Sequence, residues 1–315
     1  MTRWGSLVRF QYLPPFFILI YCTMKKGFVW LLGIYMCVLF GAAVVAGIAF
    51  DGVQYLAQKT SIGWFQYLAH KPLSQYVDRL RLVGFFFIAI PFICKSLRIK
   101  RKYLDIRFNG MAYLITFCRG CFLWCFLFGI IACLLKNITL TTTPVSLIAI
   151  FMASLLLSIV EEVIFRGICF EVLRKKHAVN HSIILLGLLF ACMHFSICNE
   201  IVSDHNSIVR AAQCALSSIT HITTNIHWPY FCCLFLLNGI LVRFRLIYRS
   251  LWASIGFHQG LVFTLMLIRK RCSFASLSNE FLGTGRLTDA WFVVIVLLII
   301  NRLMRRYLSS HEKNI

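Results

Sequence analysis

Long apolar runs, separated by short clusters of basic residues, dominate the chain. The clearest runs are 28–50, 111–135, 145–160 continuing to about 172, 229–248 and 251–268. A helix needs about 20 apolar residues to cross a hydrocarbon layer of about 30 Å, and each of these runs meets or approaches that length. Shorter runs at 82–97, 183–198 and 290–304 are each bounded by polar or basic residues. The pattern predicts an all-α polytopic membrane protein with about eight transmembrane helices. It divides into about three spans in 1–144, a central block of spans in 145–268, and a last span with a basic tail in 269–315. The apolar piece 13–22 opens with Pro14 and Pro15 and is half a bilayer long, which marks it as interfacial. Met24-Lys25-Lys26 reads as the natural start of a membrane protein, with the first 23 residues an extension of it.

Composition supports lipid as the solvent. The 315 residues are 60% hydrophobic and only 14% charged, and the mean hydropathy is +0.80. That much apolar surface does not fit inside one or two water-soluble cores. A net charge of +21 would suggest nucleic acid in a soluble protein. Here the basic residues flank the spans, so they carry orientation instead, and no nucleic-acid partner is expected. Lys25 and Lys26, the cluster Lys95 to Arg107, Arg174 to Lys176, Arg243 with Arg245 and Arg249, and Arg302 with Arg305 and Arg306 all fall on one side of an eight-span scheme. The positive-inside bias makes that side, and both termini, cytoplasmic; Arg269, Lys270 and Arg271 fall on the other side, against the scheme. Most of the 14 cysteines lie in apolar runs, where a thiol acts as a small hydrophobe, and no disulfide framework is legible. Cys118, Cys121 and Cys125 share a helix face, as a metal or redox cluster would, and core packing is the favoured reading. The segment 199–228 carries His205, Cys214, His221 and His227 at spacings that fit no metal-ligand pattern, and reads as a solvated loop.

Three ionisable residues sit in the apolar run Ser158-Ile159-Val160-Glu161-Glu162-Val163-Ile164-Phe165-Arg166-Gly167. Each costs about 2.5–3.5 kcal/mol near the bilayer centre, so such residues pair, face the bundle interior or line a wet cavity. Glu162 and Arg166 are one helical turn apart and can pair, while Glu161 points about 100° away and stays available. His194 and His258 lie inside two further spans. Counted at 1.5 Å per residue, Glu161 lies roughly 18 Å from the basic cluster at Arg174, His194 roughly 18 Å from Ser182, and His258 about 12 Å from Arg249. The three can therefore meet in one cavity. His70, His177, His181, His205, His221, His227 and His311 fall in loops or tails and are assigned no role. A carboxylate and imidazoles around a wet pocket outline a hydrolytic site. No G-x-S-x-G, Walker loop or H-E-x-x-H is present.

Glu161-Glu162-x-x-x-Arg166, Phe190-x-x-x-His194, and Ser250-Leu251-Trp252 leading into Gly256-Phe257-His258 resemble the three motifs of the CPBP (Abi) family of intramembrane proteases, which includes type II CAAX prenyl proteases and bacteriocin-processing or immunity proteins. The resemblance covers roughly 145–268, which it marks as the catalytic core. It implies a helical membrane peptidase acting on a membrane-associated peptide or protein, with lipid as its other partner. By position, Glu161 is then the general base and His194 its partner. Glu162 and Arg166 support the site, Phe190 packs beneath it, and His258 helps bind the oxyanion. Family members are often labelled metalloproteases. Glu161, His194 and His258 could hold a divalent metal such as zinc with an open position, and the same residues support a metal-free mechanism; the cofactor is undetermined at this level. One departure stands out: the family places Asn four residues after the last histidine, and this chain has Val262. Asn238, in another span, is the candidate substitute donor. Two alternatives remain beside the peptidase: a catalytically weakened scaffold or immunity protein of the same fold, and a proton-coupled carrier using Glu161, His194 and His258 as a relay.

Overall fold

The computed structural model describes residues 26–84, 107–135, 138–140, 146–195, 206–224, 226–274, 281–282 and 287–312. It is helical throughout apart from one small ribbon. Helix α1 (Lys26–Lys59) leads through the short α2 (Gly63–Ala69) into α3 (Leu73–Gly84). After α4 (Gly110–Leu135) come strand β1 (Ile138–Leu140) and α5 (Leu147–Glu162). A π-helical segment (Val163–Cys169) then joins α5 to α6 (Phe170–Arg174). The remaining elements are α7 (Val179–Phe195), α8 (Ser207–Thr224), α9 (Trp228–Tyr248), α10 (Leu251–Arg271), β2 (Cys272–Phe274), a 3-10 turn (Leu287–Asp289) and α11 (Trp291–Glu312). Strands β1 and β2 pair antiparallel, Ile138 opposite Phe274, so the connections after α4 and α10 lie at the same end of the bundle.

Five helical stretches are long and apolar enough to cross a membrane: Gly33–Lys59, Gly110–Leu134, Leu147–Arg174, Trp228–Tyr248 and Leu251–Arg271. Each coincides with one of the five clearest apolar runs. The expected eight are not reached among the described residues. Run 82–97 lies mostly outside them, and residues 1–23, with the interfacial piece 13–22, lie wholly outside. The part of run 183–198 that is described, 183–195, falls in α7, an apolar helix of 17 residues. Run 290–304 opens α11, where Arg302, Arg305 and Arg306 interrupt the apolar stretch.

Burial separates central from peripheral helices. Two thirds of the apolar window is buried in α9 and in α10, against 22% in α4 and 28% in the stretch starting at α5. The exposed side chains of the outer helices are apolar, among them Phe122, Phe126, Ile148, Met152 and Leu156. In water such a surface would drive aggregation, whereas lipid tails solvate it. Helices α9 and α10 form a tight hairpin. Arg249 closes α9 in the left-handed region at φ 48°, and the Ser250 hydroxyl caps α10 by accepting from the Trp252 N–H at 3.2 Å.

Helix α10 lies directly against α4 because it presents glycine there. A Cβ on Gly256 would collide with the Tyr113 carbonyl and the Thr116 hydroxyl; one on Gly260 would collide with the Phe117 carbonyl and the Cys121 N–H. Small residues at such contacts let membrane helices approach backbone to backbone. Since Gly256 meets Tyr113 and Gly260 meets Phe117, the two helices run parallel.

The structure departs from the sequence expectation at two places. Residues 207–224 are an amphipathic helix instead of a solvated loop. Ser207, Ala211, Cys214, Ala215 and Ser218 form its buried stripe, and the Ser207 hydroxyl donates to Asp51 of α1 at 2.5 Å. Cys214 within this stripe is disulfide-bonded. Cys118 and Cys125 are not core packing: they face outward from α4, the lipid-facing side of a peripheral helix, while Cys121 bonds the Gly260 carbonyl at 3.6 Å.

Candidate active site

The buried positions of α5 are Ile150, Ser154, Ser158 and Glu162, one every four residues, and this stripe delivers the Glu162 carboxylate to α10. Beyond Glu162 the helix widens into the π segment, in which Ile164 to Cys169 are all buried. Single π turns inside helices recur at functional sites.

Glu162 has no exposed surface and is fully engaged. Its Oε1 accepts from Arg166 Nη1 at 2.9 Å and from His258 Nδ1 at 2.7 Å, and its Oε2 accepts from the Ser254 hydroxyl. Against an ion-paired carboxylate, the His258 Nδ1 carries the proton, and in the neutral ring Nε2 is then a lone pair. His194 is oriented the same way: its Nδ1 lies 2.8 Å from the Phe190 carbonyl one turn back, an acceptor only, so its Nε2 is also a lone pair. Both Nε2 atoms face the other glutamate. Glu161 Oε2 lies 3.8 Å from His194 Nε2 and 3.8 Å from His258 Nε2 and has no hydrogen-bond partner. Adjacent carboxylates in one helix thus have opposite conditions, Glu162 saturated with donors and Glu161 bare of them.

Behind this trio, Phe190 packs against His194 with ring centroids 4.3 Å apart and the rings tilted by 57°, and the Arg166 guanidinium lies 4.2 Å from the Phe190 ring centre. A second buried pair lies deeper. Arg245 of α9 donates from Nη2 to Glu171 Oε1 at 2.8 Å and from Nη1 to the carbonyl of Arg166 inside the π segment. Glu171, Arg245 and Ser254 were not singled out in the sequence. Arg245 was grouped with Arg243 and Arg249 as juxtamembrane charge, and only Arg249 fits that description. Arg245 is buried, and Arg243 reaches Asn301 of α11 and the Gly239 carbonyl at 2.9 Å. The available signal was the one used for Glu161: a charge inside an apolar run.

A cavity of about 230 Å³ opens over Glu161, His194 and His258. Its walls include Trp124, Leu157, Leu237, Leu261 and Val262, and Arg269 and Thr288 border it toward the ribbon end. Asn238 does not reach it. Its Nδ2 donates to the Ile183 carbonyl at 3.1 Å, tying α9 to α7, so it is no substitute donor for the cavity. Gln259 points away, accepting from the Tyr113 hydroxyl at 2.5 Å.

In type, one carboxylate and two imidazoles could hold zinc. As placed, Glu161 Oε2 lies 3.8 Å from each Nε2, where ligands about 2.1 Å from a tetrahedral ion lie about 3.4 Å from one another. Among the described residues no three His, Cys, Asp or Glu side chains are arranged to hold a metal ion.

The fold and the site together define an integral membrane protein with ionisable side chains gathered around a cavity in its core. The segment of residues 141–264 matches the family model described as type II CAAX prenyl endopeptidase Rce1-like. It runs from just before α5 into α10 and holds all three motif-bearing elements. No curated protein and no solved structure matches the chain.

Proposed function

We propose that the chain is an intramembrane peptidase that hydrolyses a peptide bond of a membrane-associated substrate with water activated by Glu161 and His194. The observation that carries this reading is the convergence of Glu161 Oε2 with two imidazole Nε2 atoms at 3.8 Å each, three acceptors with no donor among them. A water molecule, with two protons to give, complements that arrangement. One proton goes to Glu161 as the water oxygen bonds to the scissile carbonyl carbon, while His194 holds the water in line. His258 takes up the proton in turn. Its imidazolium is stabilised by Glu162 through Nδ1, as a carboxylate behind a histidine does in other hydrolases, and it passes the proton to the departing amine as the C–N bond breaks. Glu162 is on this account a positioning residue, with Arg166 neutralising it.

The family match makes a farnesylated peptide with a C-terminal CAAX sequence the first substrate to try. The purified protein in proteoliposomes is expected to cleave it, detected by mass spectrometry. Glu161→Gln is expected to abolish cleavage, and a chelator is expected to leave it intact. Cleavage that survives Glu161→Gln would refute the reading. Loss in chelator, restored by zinc, would refute the metal-free form of it. The scaffold alternative draws on Val262, which gives the cavity wall an apolar side chain where an amide would donate. It expects a folded protein that cleaves nothing.

A further inference from the structure

The proposed reaction places negative charge on the scissile carbonyl oxygen, and that oxygen needs a hydrogen-bond donor held ready for it. Around the catalytic trio the protein offers lone pairs: Glu161 Oε2 and the two Nε2 atoms, with Val262 apolar beside them. One neutral donor next to the same cavity has no acceptor. Trp124 of α4 is completely buried, its ring forms part of the cavity wall, and its Nε1–H has no hydrogen-bond partner. Buried indole N–H groups ordinarily find an acceptor, and leaving one without is destabilising, so an orphaned one calls for an explanation. An acceptor that arrives with the substrate supplies it.

The helix register puts the indole at a suitable depth. Gly256 of α10 meets Tyr113 and Thr116 of α4, and Gly260 meets Phe117, Gly120 and Cys121. Carried one turn further along two parallel helices, Trp124 lies level with about Leu265. Helical side chains lean back over the preceding turn, which brings the ring toward Leu261 and Val262, on the cavity side of His258. Leu261, Val262 and Leu265 all line the cavity with Trp124.

We infer that Trp124 is a further catalytic residue, whose Nε1–H donates to the oxyanion formed on the substrate's scissile carbonyl. The inference rests on the peptidase reading above. Trp124 lies outside residues 141–264, so the donor comes from a helix that the matched domain does not include. No bond to Trp124 forms or breaks; the indole keeps its proton while the carbonyl carbon becomes tetrahedral and returns to planar as the amine leaves.

The test is Trp124→Phe, which keeps an aromatic ring and removes the N–H, assayed on the farnesylated CAAX peptide in proteoliposomes beside wild type and Glu161→Gln. The expected result is a fall in kcat of about 10²-fold, the loss typical of one oxyanion donor, with KM changed less than about threefold. Tm is expected to fall modestly whatever the role, because the smaller ring leaves space at a fully buried position, so the role is read from kcat against KM and from rescue. Adding Val262→Asn to Trp124→Phe, which returns an amide donor to the same cavity, is expected to recover part of kcat. Unchanged kcat in Trp124→Phe would overturn the inference, and so would a loss of kcat that Val262→Asn does not relieve. The peptidase reading is judged separately, on whether Glu161→Gln is silent.

Discussion

Replacing either member of the Glu161-Glu162 pair by glutamine makes the same chemical change at nearly the same depth, yet the two variants are expected to behave oppositely. Glu162→Gln removes the negative charge that holds Arg166, and both side chains of that ion pair have no exposed surface. It also replaces an ionised acceptor for His258 Nδ1 and for the Ser254 hydroxyl with a neutral amide that has one acceptor oxygen. Breaking a buried pair by removing one partner costs about 3–5 kcal/mol, because the remaining charge is left uncompensated. Against a total stability of about 5–15 kcal/mol, that is enough to lower the melting temperature sharply or to prevent folding. Glu161→Gln loses no hydrogen bond at Oε2 and leaves no partner unpaired. Its new amide group can donate toward His194 or His258, so the change in stability is expected to stay within about 1 kcal/mol, the net worth of one hydrogen bond. Thermal unfolding of the two purified variants in the same detergent measures the difference and shows that Glu161→Gln is folded, and the peptide assay shows that it is inactive. Equal losses of stability, or a greater loss in Glu161→Gln, would refute the assignment of one glutamate to structure and the other to the cavity.

Three further outcomes are expected. Arg245→Met should destabilise the protein by about 1–3 kcal/mol, because buried Glu171 loses its partner at 2.8 Å and keeps only the more exposed Arg174, 3.1 Å from its Oε2, and the double variant Arg245→Met/Glu171→Leu should recover much of that in thermal unfolding. Gly260→Ala should force α10 away from α4, since its Cβ would meet backbone atoms including the Cys121 nitrogen at 2.8 Å; the expected cost is about 1–3 kcal/mol with reduced cleavage, whereas Gly129→Ala, with nothing within 4 Å, should be neutral in both assays. Single-cysteine labelling in intact cells should place Arg305 on the same side of the membrane as Lys175, the cytoplasmic side, as the basic clusters imply, and a tail labelled from outside would overturn that orientation.

The spans and the site residues were legible in the sequence for a physical reason. Hydrocarbon is an unforgiving solvent, so the length of an apolar run and any charge within it are both conspicuous. Runs 111–135, 229–248 and 251–268 coincide with α4, α9 and α10 almost to the residue, and the four-residue spacing of Glu162 and Arg166 gave their pairing. Helix α8 escaped notice because its pattern is amphipathic and short of span length, and a stripe of Ser, Ala and Cys carries little hydrophobic signal. What the sequence could not decide is which helices touch. Glu161, His194 and His258 are brought to 3.8 Å by the packing of α5, α7 and α10, contacts between residues up to 97 positions apart. The same packing assigns Arg245 to the interior, Asn238 to a backbone carbonyl and the Trp124 N–H to no partner at all. A one-dimensional pattern records which residues are costly in lipid, and only the tertiary structure shows which neighbour offsets each cost.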